Sequence, residues 1–202
     1  MNVTTAKETS EPLRILDAAI DALAEYGYAN CSMQRIADHA EVDKRMLHYY
    51  FGDRNGLTVQ IAERVGDRLL AGFTSAIEGL SGPREIAAAG FESLWENVVA
   101  EPRLHAVHLG LVSAAVTDDS LRAQVARIRD RYSEVILQLA ERGRKAGLEL
   151  RLNDETLVGL ILAGLNGLTV DYLQRGETEE LTQSLAEFQS WLMQLARPLA
   201  DA

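Results

Sequence analysis

Apolar residues recur every three to four positions along nearly the whole chain, and no stretch alternates apolar and polar residues over the length of a strand. This spacing collects apolar side chains on one face of a helix, so it predicts an all-α protein. The first predicted helix opens at Ser10 and Pro12 and ends at Gly27. Its apolar face consists of Ile15, Ala19, Leu23 and Tyr26.

The same spacing, together with the residues that begin and end helices, predicts nine helices in total. Asp53 is the predicted N-cap of the fourth helix, so Asn55-Gly56 is expected in a helical first turn and not in a hairpin. Residues 148–153 would fit a short strand, but a loop is the favoured interpretation. The approximate helix ranges are 10–26, 32–40, 43–50, 54–80, 84–100, 103–116, 118–146, 154–175 and 178–196.

Length and composition indicate an ordinary globular protein inside the cell. The chain has 202 residues, 47% of them hydrophobic, which is enough for a real core. Cys31 is the single cysteine, so no disulfide can form within the chain and a reducing compartment is expected. The N-terminal residues lack the apolar core of a secretory signal. The longest apolar run, 157–170, is shorter than a membrane span and is interrupted by Asn166, so a cytoplasmic protein without membrane contact is predicted.

Charge directs attention to one short stretch. The net charge is −10, and residues 1–58 and 59–202 are both acidic, with six Lys/Arg against nine Asp/Glu and fourteen against twenty-one. Only VDKRMLHYYFGDR, residues 42–54, combines an excess of basic side chains with consecutive aromatics. Any contact with nucleic acid is therefore expected to be local.

This basic stretch forms the second half of a helix-turn-helix pattern. Two short predicted helices, 32–40 and 43–50, are joined by a three-residue turn. Ala37 is small where the two helices cross, and Val42 and Leu47 hold the second helix from inside. Such packing leaves basic and aromatic side chains outward, as reading of a DNA major groove requires.

Residues 13–57 resemble the N-terminal DNA-binding domain of the TetR family of transcriptional regulators. The pieces that carry the resemblance are ILDAA (15–19), YGY (26–28), SMQRIADHA (32–40), V-D-x-x-x-L-x-Y-Y-F (42–51) and D-R-x-x-L (53–57). The resemblance covers about a quarter of the chain. It implies a DNA-binding domain at 1–58 with its recognition helix at about 43–50, and a ligand-binding and dimerisation domain at 59–202.

The resemblance also implies which residues meet DNA. Gln34, Lys44, Arg45 and Tyr49 match positions that reach base edges or the adjoining backbone. The positions that mainly touch phosphates correspond to Ser32, His48, Tyr50 and Arg54.

Several of these positions depart from the family pattern. Turn position 41 is usually Gly but is Glu41 here, which predicts a slightly strained or differently shaped turn. Arg45, Met46 and His48 are also unusual, and Arg54 stands where the family usually has Lys.

The C-terminal part carries a pattern expected of a dimer. Gly159, Ala163 and Gly167 recur every four residues, which makes a flat strip where another helix can approach closely. Packing within one chain is the alternative, but the apolar surface of the last two helices favours a homodimer. The predicted interface comprises Gly159, Ala163, Gly167, Leu185, Phe188 and Leu192.

The helices before this pair, together with Asn166 of the first helix of the pair, are expected to hold a small-molecule effector, because apolar walls with a few polar groups are typical of such sites. For each residue, ordinary core packing is an equally good interpretation. His105 and His108 lack a third metal ligand, so neither a metal nor a cofactor is predicted. The candidate ligand-binding residues are Phe91, Trp95, His105, His108, Leu109, Val112, Tyr132 and Asn166.

Together these features predict a homodimeric, effector-responsive transcriptional regulator, most simply a repressor that binds a palindromic operator. An enzyme is disfavoured because no nucleophile, metal or phosphate-loop motif is present. An interaction protein whose helix-turn-helix no longer binds DNA is the other alternative, which Glu41 and the overall acidity favour slightly.

Overall fold

The structure, a computed structural model, describes residues 10–71 and 83–198. Within those ranges it contains nine helices and one small antiparallel sheet, and the all-α fold class is confirmed. The part of the fourth predicted helix beyond residue 71 lies outside the described residues. The helices are α1 Glu11–Tyr26, α2 Met33–His39, α3 Lys44–Phe51, α4 Arg54–Leu70, α5 Pro83–Ala100, α6 Pro102–Ala114, α7 Asp119–Lys145, α8 Asp154–Arg175 and α9 Glu179–Leu195.

The ends of α1 follow from its terminal residues. Ser10 precedes the helix, Pro12 lies in its first turn, and Gly27 ends it with a positive φ of 72°. The Gly27 N–H still donates to the carbonyl of Leu23 at 2.9 Å, which satisfies one of the carbonyls that a helix end leaves open. Of the predicted apolar face of α1, Ile15, Ala19 and Leu23 are buried, whereas Tyr26 is only half-buried.

Two side-chain caps position α2 and α3. The Ser32 hydroxyl accepts a hydrogen bond from the N–H of Arg35 at 3.2 Å, and the Asp43 carboxylate accepts one from the N–H of Arg45 at 2.8 Å. Between the helices, the Val42 N–H donates to the carbonyl of Ala37 at 3.0 Å. Each cap satisfies an orphan N–H of a helix that is too short to be stable by itself.

The turn between α2 and α3 is strained at the position expected from its sequence. Glu41 has a φ of 55°, and among the described residues it is the only one besides glycine with a positive φ. The Cβ atom of a non-glycine residue crowds the backbone in this conformation. The strained-turn expectation is therefore confirmed.

The junction between α3 and α4 depends on Gly56. Asp53 accepts a hydrogen bond from the Gly56 N–H at 2.8 Å, and Gly56 lies inside α4. A Cβ at this position would lie 2.2 Å from the carbonyl oxygen of Phe51. The helical interpretation of Asn55-Gly56 is confirmed, and the glycine is needed here because backbone from the end of α3 occupies the space of its side chain.

A two-stranded sheet takes in residues 148–150 of the loop expected at 148–153, and for those three residues the expectation was wrong. Strand β1, Leu148–Leu150, pairs antiparallel with β2, Ala196–Pro198, and Leu148 lies opposite Pro198. Leu148 is buried while Glu149 is exposed, which is the alternation of a strand with one buried face. Three residues are too few to show this pattern clearly in a sequence.

The chain divides into two compact units. The first contains the residues up to Asp67 together with Ala106–Ala126, and the second contains Arg68–His105 together with the residues from Arg127 onward. The helix-turn-helix lies in the first unit, and the sheet with α8 and α9 lies in the second. The functional division into residues 1–58 and 59–202 stays a prediction.

Within the second unit, α8 and α9 pack through an aromatic ring on a glycine. A Cβ on Gly164 would lie 2.3 Å from the ring of Phe188. The same ring lies 5.8 Å from that of Phe91 in α5, measured between centroids. Phe188 thus fills a place inside its own chain.

The outer side of α8 is unusually apolar for an exposed surface. This helix has a mean hydropathy of 1.5 over its most apolar window, yet only 22% of that window is buried. The apolar run seen in the sequence is one part of a 22-residue helix, so length alone does not exclude a membrane span. In residues 10–71 and 83–198 it is the only helix that is long and apolar enough to cross a membrane. The core helices of soluble proteins can meet the same requirement of length and composition.

Replacing Glu41 by Gly should stabilise the protein, because glycine adopts a positive φ without crowding. The expected gain in the free energy of unfolding is about 0.5–1 kcal/mol, which is the relief of strain less the entropy that glycine adds to the unfolded chain. Urea unfolding followed by circular dichroism measures it. Glu41→Ala is the control, since it removes the same charge but keeps a Cβ; an equal gain from Ala would show that charge and not backbone strain is responsible.

Candidate nucleic-acid interface

The second half of the helix-turn-helix has a buried inner face and an exposed outer face. Leu47 is 0% exposed and Phe51 is buried beside it, while Ala37 is fully buried in α2. An eight-residue helix gains little from its own hydrogen bonds, so these contacts hold α3 in place. The opposite face of α3 is thereby presented to solvent in a fixed orientation.

Lys44 and Arg45 begin α3 and are both exposed. Among the described residues, neither side chain has a hydrogen bond or an ion pair. The N-terminal end of a helix carries partial positive charge, so two cations there reduce the stability of the helix by a few tenths of a kcal/mol or more. Their position is unfavourable for folding and suits binding to a polyanion.

Tyr49 and Tyr50 continue the outer face with aromatic surface. The side chain of Tyr49 is 79% exposed, the largest exposure among the big hydrophobic side chains that the structure describes. The Tyr50 ring is half-buried and meets that of Tyr49 edge-on, with 5.0 Å between centroids. One ring is thus free to contact a ligand while its neighbour supports it.

His48 is held by the end of its own helix. Its Nδ1 lies 2.7 Å from the carbonyl oxygen of Gly52, and since a carbonyl can only accept, Nδ1 carries the proton and donates it. The other ring nitrogen, Nε2, must then itself be protonated to donate a hydrogen bond to a phosphate. The exposed His48 ring is thus oriented by a backbone contact.

Ser32 and Gln34 are both exposed at the start of α2. The Ser32 hydroxyl oxygen accepts the capping hydrogen bond, so its proton is left for another acceptor. The Gln34 amide donates to the Asp38 carboxylate at 2.8 Å. A contact between Gln34 and a base would require that bond to be shared or released.

Arg54 is engaged within the protein more than the sequence indicated. Its guanidinium donates to the carbonyls of Cys31 at 2.8 Å and Tyr28 at 3.1 Å, and it lies 5.4 Å above the Tyr28 ring. These contacts tie the first turn of α4 to the loop that enters α2. A bidentate contact of this kind needs the planar fork of arginine, which explains why Arg is suited to a position where a Lys would supply only charge.

Arg35 was not among the predicted site residues, but it makes contacts of the same kind as those of Arg54. It donates to the carbonyl of Asn30 at 2.7 Å and lies 4.8 Å above the ring of Tyr26, and its side chain is exposed near Ser32. The sequence signal that would have found it is its place in the first turn of α2, beside Gln34.

Cys31 is a packing residue in this arrangement. It is 1% exposed, and burial raises the pKa of its thiol, although Arg54 and Arg35 act in the opposite direction. A protonated, buried thiol is a poor nucleophile. The proximity of a helix N-terminus therefore does not activate it.

Comparison with known proteins agrees with this geometry. The sequence model of a family described as bacterial regulatory proteins, tetR family, matches residues 15–65. A TetR transcription regulator from Haloarcula marismortui superposes with a TM-score of 0.79 at 18% identity, covering 93% of this chain and 98% of that one. The fatty acid degradation regulator FadR from Bacillus halodurans gives 0.78 at 18% identity, with 93% and 96% covered.

By its N-terminal DNA-binding domain, the chain belongs to the TetR family. Among curated relatives, the HTH-type transcriptional activator FasR of Mycolicibacterium smegmatis is 26% identical over 148 residues, which are 73% of this chain and 66% of FasR, just under two thirds of that relative. TetR proteins are DNA-binding transcriptional regulators and not enzymes, so the enzyme alternative is set aside.

The predicted effector residues of this TetR protein are not all brought together. His108, Leu109 and Val112 belong to the first compact unit, whereas the other five belong to the second. In the second unit, Asn166 is exposed on α8. Only Phe91 of the eight lines the apolar cavity described below.

Two of the predicted effector residues have other contacts within the second unit. The Trp95 ring meets that of Tyr172 edge-on, with 5.7 Å between centroids. His105 is buried, with Nε2 2.9 Å from the Asn97 side-chain oxygen, and burial lowers its pKa to about 4. Burial likewise raises the pKa of the Tyr132 hydroxyl. Both groups are therefore neutral at physiological pH.

The second unit contains an apolar cavity of about 100 Å³. Its walls come from α5, α7, β1, α8 and α9, and the contribution of β1 was missed because that strand had been predicted as a loop. The lining residues are Gly90, Phe91, Leu94, Ile136, Leu139, Ala140, Gly143, Leu148, Leu150, Leu157, Ile161, Leu192 and Leu195.

The predicted dimer residues divide between an outer and an inner set. Ala163 and Gly167 are exposed on α8, and a Cβ on Gly159 or Gly167 would meet nothing within 4 Å. Leu185 and Phe188 are half-buried, and Leu192 lines the cavity. The open strip therefore lies on α8.

Replacing Arg54 by Lys should destabilise the helix-turn-helix although it keeps the charge, because the fork that holds two carbonyls is lost. The expected loss in the free energy of unfolding is about 1–2 kcal/mol, allowing for the exposure of the side chain. Urea unfolding measures it. Arg45→Lys is the matched control and should change stability by less than about 0.5 kcal/mol; an unchanged Arg54→Lys protein would mean that Arg54 acts only as a surface charge.

Proposed function

We propose that this TetR protein is a homodimeric, effector-responsive transcriptional repressor. The observation that carries the proposal is the presentation of Lys44, Arg45 and Tyr49 on a short helix whose opposite face is buried. These three side chains are exposed, and the two cations are placed where a helix disfavours positive charge. DNA supplies the negative charge that such a face lacks within the protein.

The proposed recognition divides the residues by chemistry. Lys44 and Arg45 donate to guanine N7 and O6, and Gln34 pairs with adenine after it leaves Asp38. Ser32, His48 and Tyr50 contact phosphates. Arg54 was also expected at a phosphate; the guanidinium contacts with two carbonyls favour a supporting role for it.

The homodimer is supported by the outer face of α8. Leu160 is 40% exposed and Val170 is 38% exposed, with Ala163 and Gly167 between them on the same side of the helix. A second copy of this face would bury that apolar surface across a two-fold axis. Two recognition helices then meet successive major grooves, so half-sites about 34–36 Å apart, in a palindrome, are expected.

Effector control follows from linkage. A small molecule that binds one arrangement of the dimer more tightly shifts the population toward it, and DNA must weaken effector binding by the same factor. We place the effector beside Phe91 in the second unit. The protein acts in the cytoplasm, where its operator is.

Activation is the second candidate, and one observation favours it: the relative FasR is named a transcriptional activator. A reporter gene fused to the DNA upstream of this protein's own gene separates the two. Higher reporter expression after deletion of the protein supports repression, and lower expression supports activation.

Lys44→Ala combined with Arg45→Ala should abolish specific operator binding. Each lost base contact costs about 1–3 kcal/mol, and each lost phosphate contact lowers the salt slope of binding by about 0.9. A mobility-shift titration at several salt concentrations, with duplex DNA from upstream of the gene, measures both quantities.

The matched control for this double variant is Arg129→Ala with Lys145→Ala, which removes the same two charges from exposed positions of α7. It should bind DNA as the parent protein does. Equal loss in the two variants would show that net charge, and not the face of α3, determines binding. A parent protein that binds no upstream DNA would favour the interaction-protein alternative.

Ala163→Glu should convert the dimer to monomers, because the two-fold axis brings two carboxylates into one apolar interface. Sedimentation at micromolar protein concentration gives the mass directly. Ala126→Glu, at an exposed position of α7, is the control and should leave the dimer intact. A dimer that survives Ala163→Glu would place the interface elsewhere.

A further inference from the structure

The cavity of the second unit has a wall without polar side chains. All the lining residues are glycine, alanine, leucine, isoleucine or phenylalanine. A hydroxyl, amine or carboxylate inside it would find no side-chain partner, and burying an unpaired polar group is costly. The wall therefore favours binding of hydrocarbon groups and disfavours binding of charged groups.

The size of the cavity limits what can enter without rearrangement. A cavity of ~150 Å³ with a similar lining holds benzene, which has six carbons. By proportion, about 100 Å³ accommodates roughly four carbons. Longer groups require the lining to move, and the leucine side chains of the wall are the parts that can rotate.

Leu139 illustrates how a leucine side chain of the wall affects the size of the cavity. Leu139 lies against Gly90, where an added Cβ would be 2.9 Å from the Leu139 Cδ1 atom. The glycine thus gives Leu139 a place to pack, and shortening Leu139 would extend the cavity toward α5.

The cavity and the proposed dimer face share one helix. Leu157 and Ile161 of α8 line the cavity, while Leu160 and Ala163 lie on the exposed side of the same helix. A group that displaces Ile161 therefore displaces the outer face of α8 as well, since a helix moves as a rigid element. Occupancy of the cavity is in this way connected to the surface proposed to join two copies.

We propose that this cavity binds an uncharged aliphatic group of about four to six carbons, which is the apolar end of the effector, while any charged end of the same molecule lies outside the cavity wall. The proposal rests on the proposed function, since it names the chemical class that the regulator senses. Its binding step is nevertheless measurable without DNA.

A series of 1-alkanols from ethanol to octanol tests the proposal with the full-length protein. Calorimetric titration should show affinity rising about fourfold per added methylene, as expected for burial of one CH₂. The affinity should stop rising with chain length between butanol and hexanol. The tetramethylammonium ion, which also has four carbons but carries its charge at their centre, cannot leave that charge outside the wall and should bind at least tenfold more weakly than butanol. No rise with chain length, or equal affinity for the charged analogue, would overturn the proposal.

Two variants change the volume in opposite directions. Ala140→Leu fills the cavity and should reduce butanol affinity at least tenfold. Leu139→Ala enlarges the cavity, so the affinity should continue to rise with chain length to longer alkanols. Ala123→Leu, the same kind of change at an exposed position of α7, is the control. Unchanged alkanol binding in both cavity variants would place the binding elsewhere, and Leu139→Ala keeps the test decisive if Ala140→Leu does not fold.

Mobility shift with upstream DNA separates this inference from the proposed function. Alkanol binding that obeys the size limit supports the cavity assignment even if the alkanol leaves operator affinity unchanged. That result would contradict only the proposed release of DNA by the effector. A protein that binds DNA but no alkanol overturns the cavity assignment and leaves the regulator intact.

Discussion

Everything that this protein offers to DNA depends on the burial of one side of an eight-residue helix. A helix as short as α3 does not persist in water by its own hydrogen bonds, so its position is determined by Leu47 and Phe51 beneath it and by the Asp43 cap at its start. Because the inner face is fixed, Lys44 and Arg45 project outward at the end of the helix where positive charge is least favourable. Stability and the proposed DNA recognition thus use opposite faces of the same helix.

Three arginines hold both ends of α2 through contacts to backbone atoms. Arg54 and Arg35 donate to carbonyls in the loop before α2, and Arg14 donates to the carbonyl of Ala40 at 2.8 Å at the end of that helix. Carbonyls have no competing role in DNA binding. Cationic side chains held in this way brace the helices, and the exposed cations of α3 remain available for the ligand.

The second unit differs from the helix-turn-helix, whose distinguishing side chains are cationic. Its distinguishing surfaces are apolar: an exposed strip on α8, and a cavity whose wall carries no polar side chain. Phe188 has a part in this arrangement, since its ring rests on Gly164 and occupies space that a larger residue would take. In the proposed regulator, one of these apolar features joins the two copies and the other senses a molecule, and α8 contributes to both.

By itself the sequence determined the features that depend on near neighbours. Helix periodicity, the Asp53 cap and the strained turn at Glu41 all arise within a few residues, so they could be predicted. Only the tertiary structure decided the rest. The pairing of Leu148 with Pro198, the hold of Arg54 on Cys31 and the packing of Phe188 on Gly164 join residues more than twenty positions apart. Such contacts follow from where whole helices lie, which no local pattern of residues encodes.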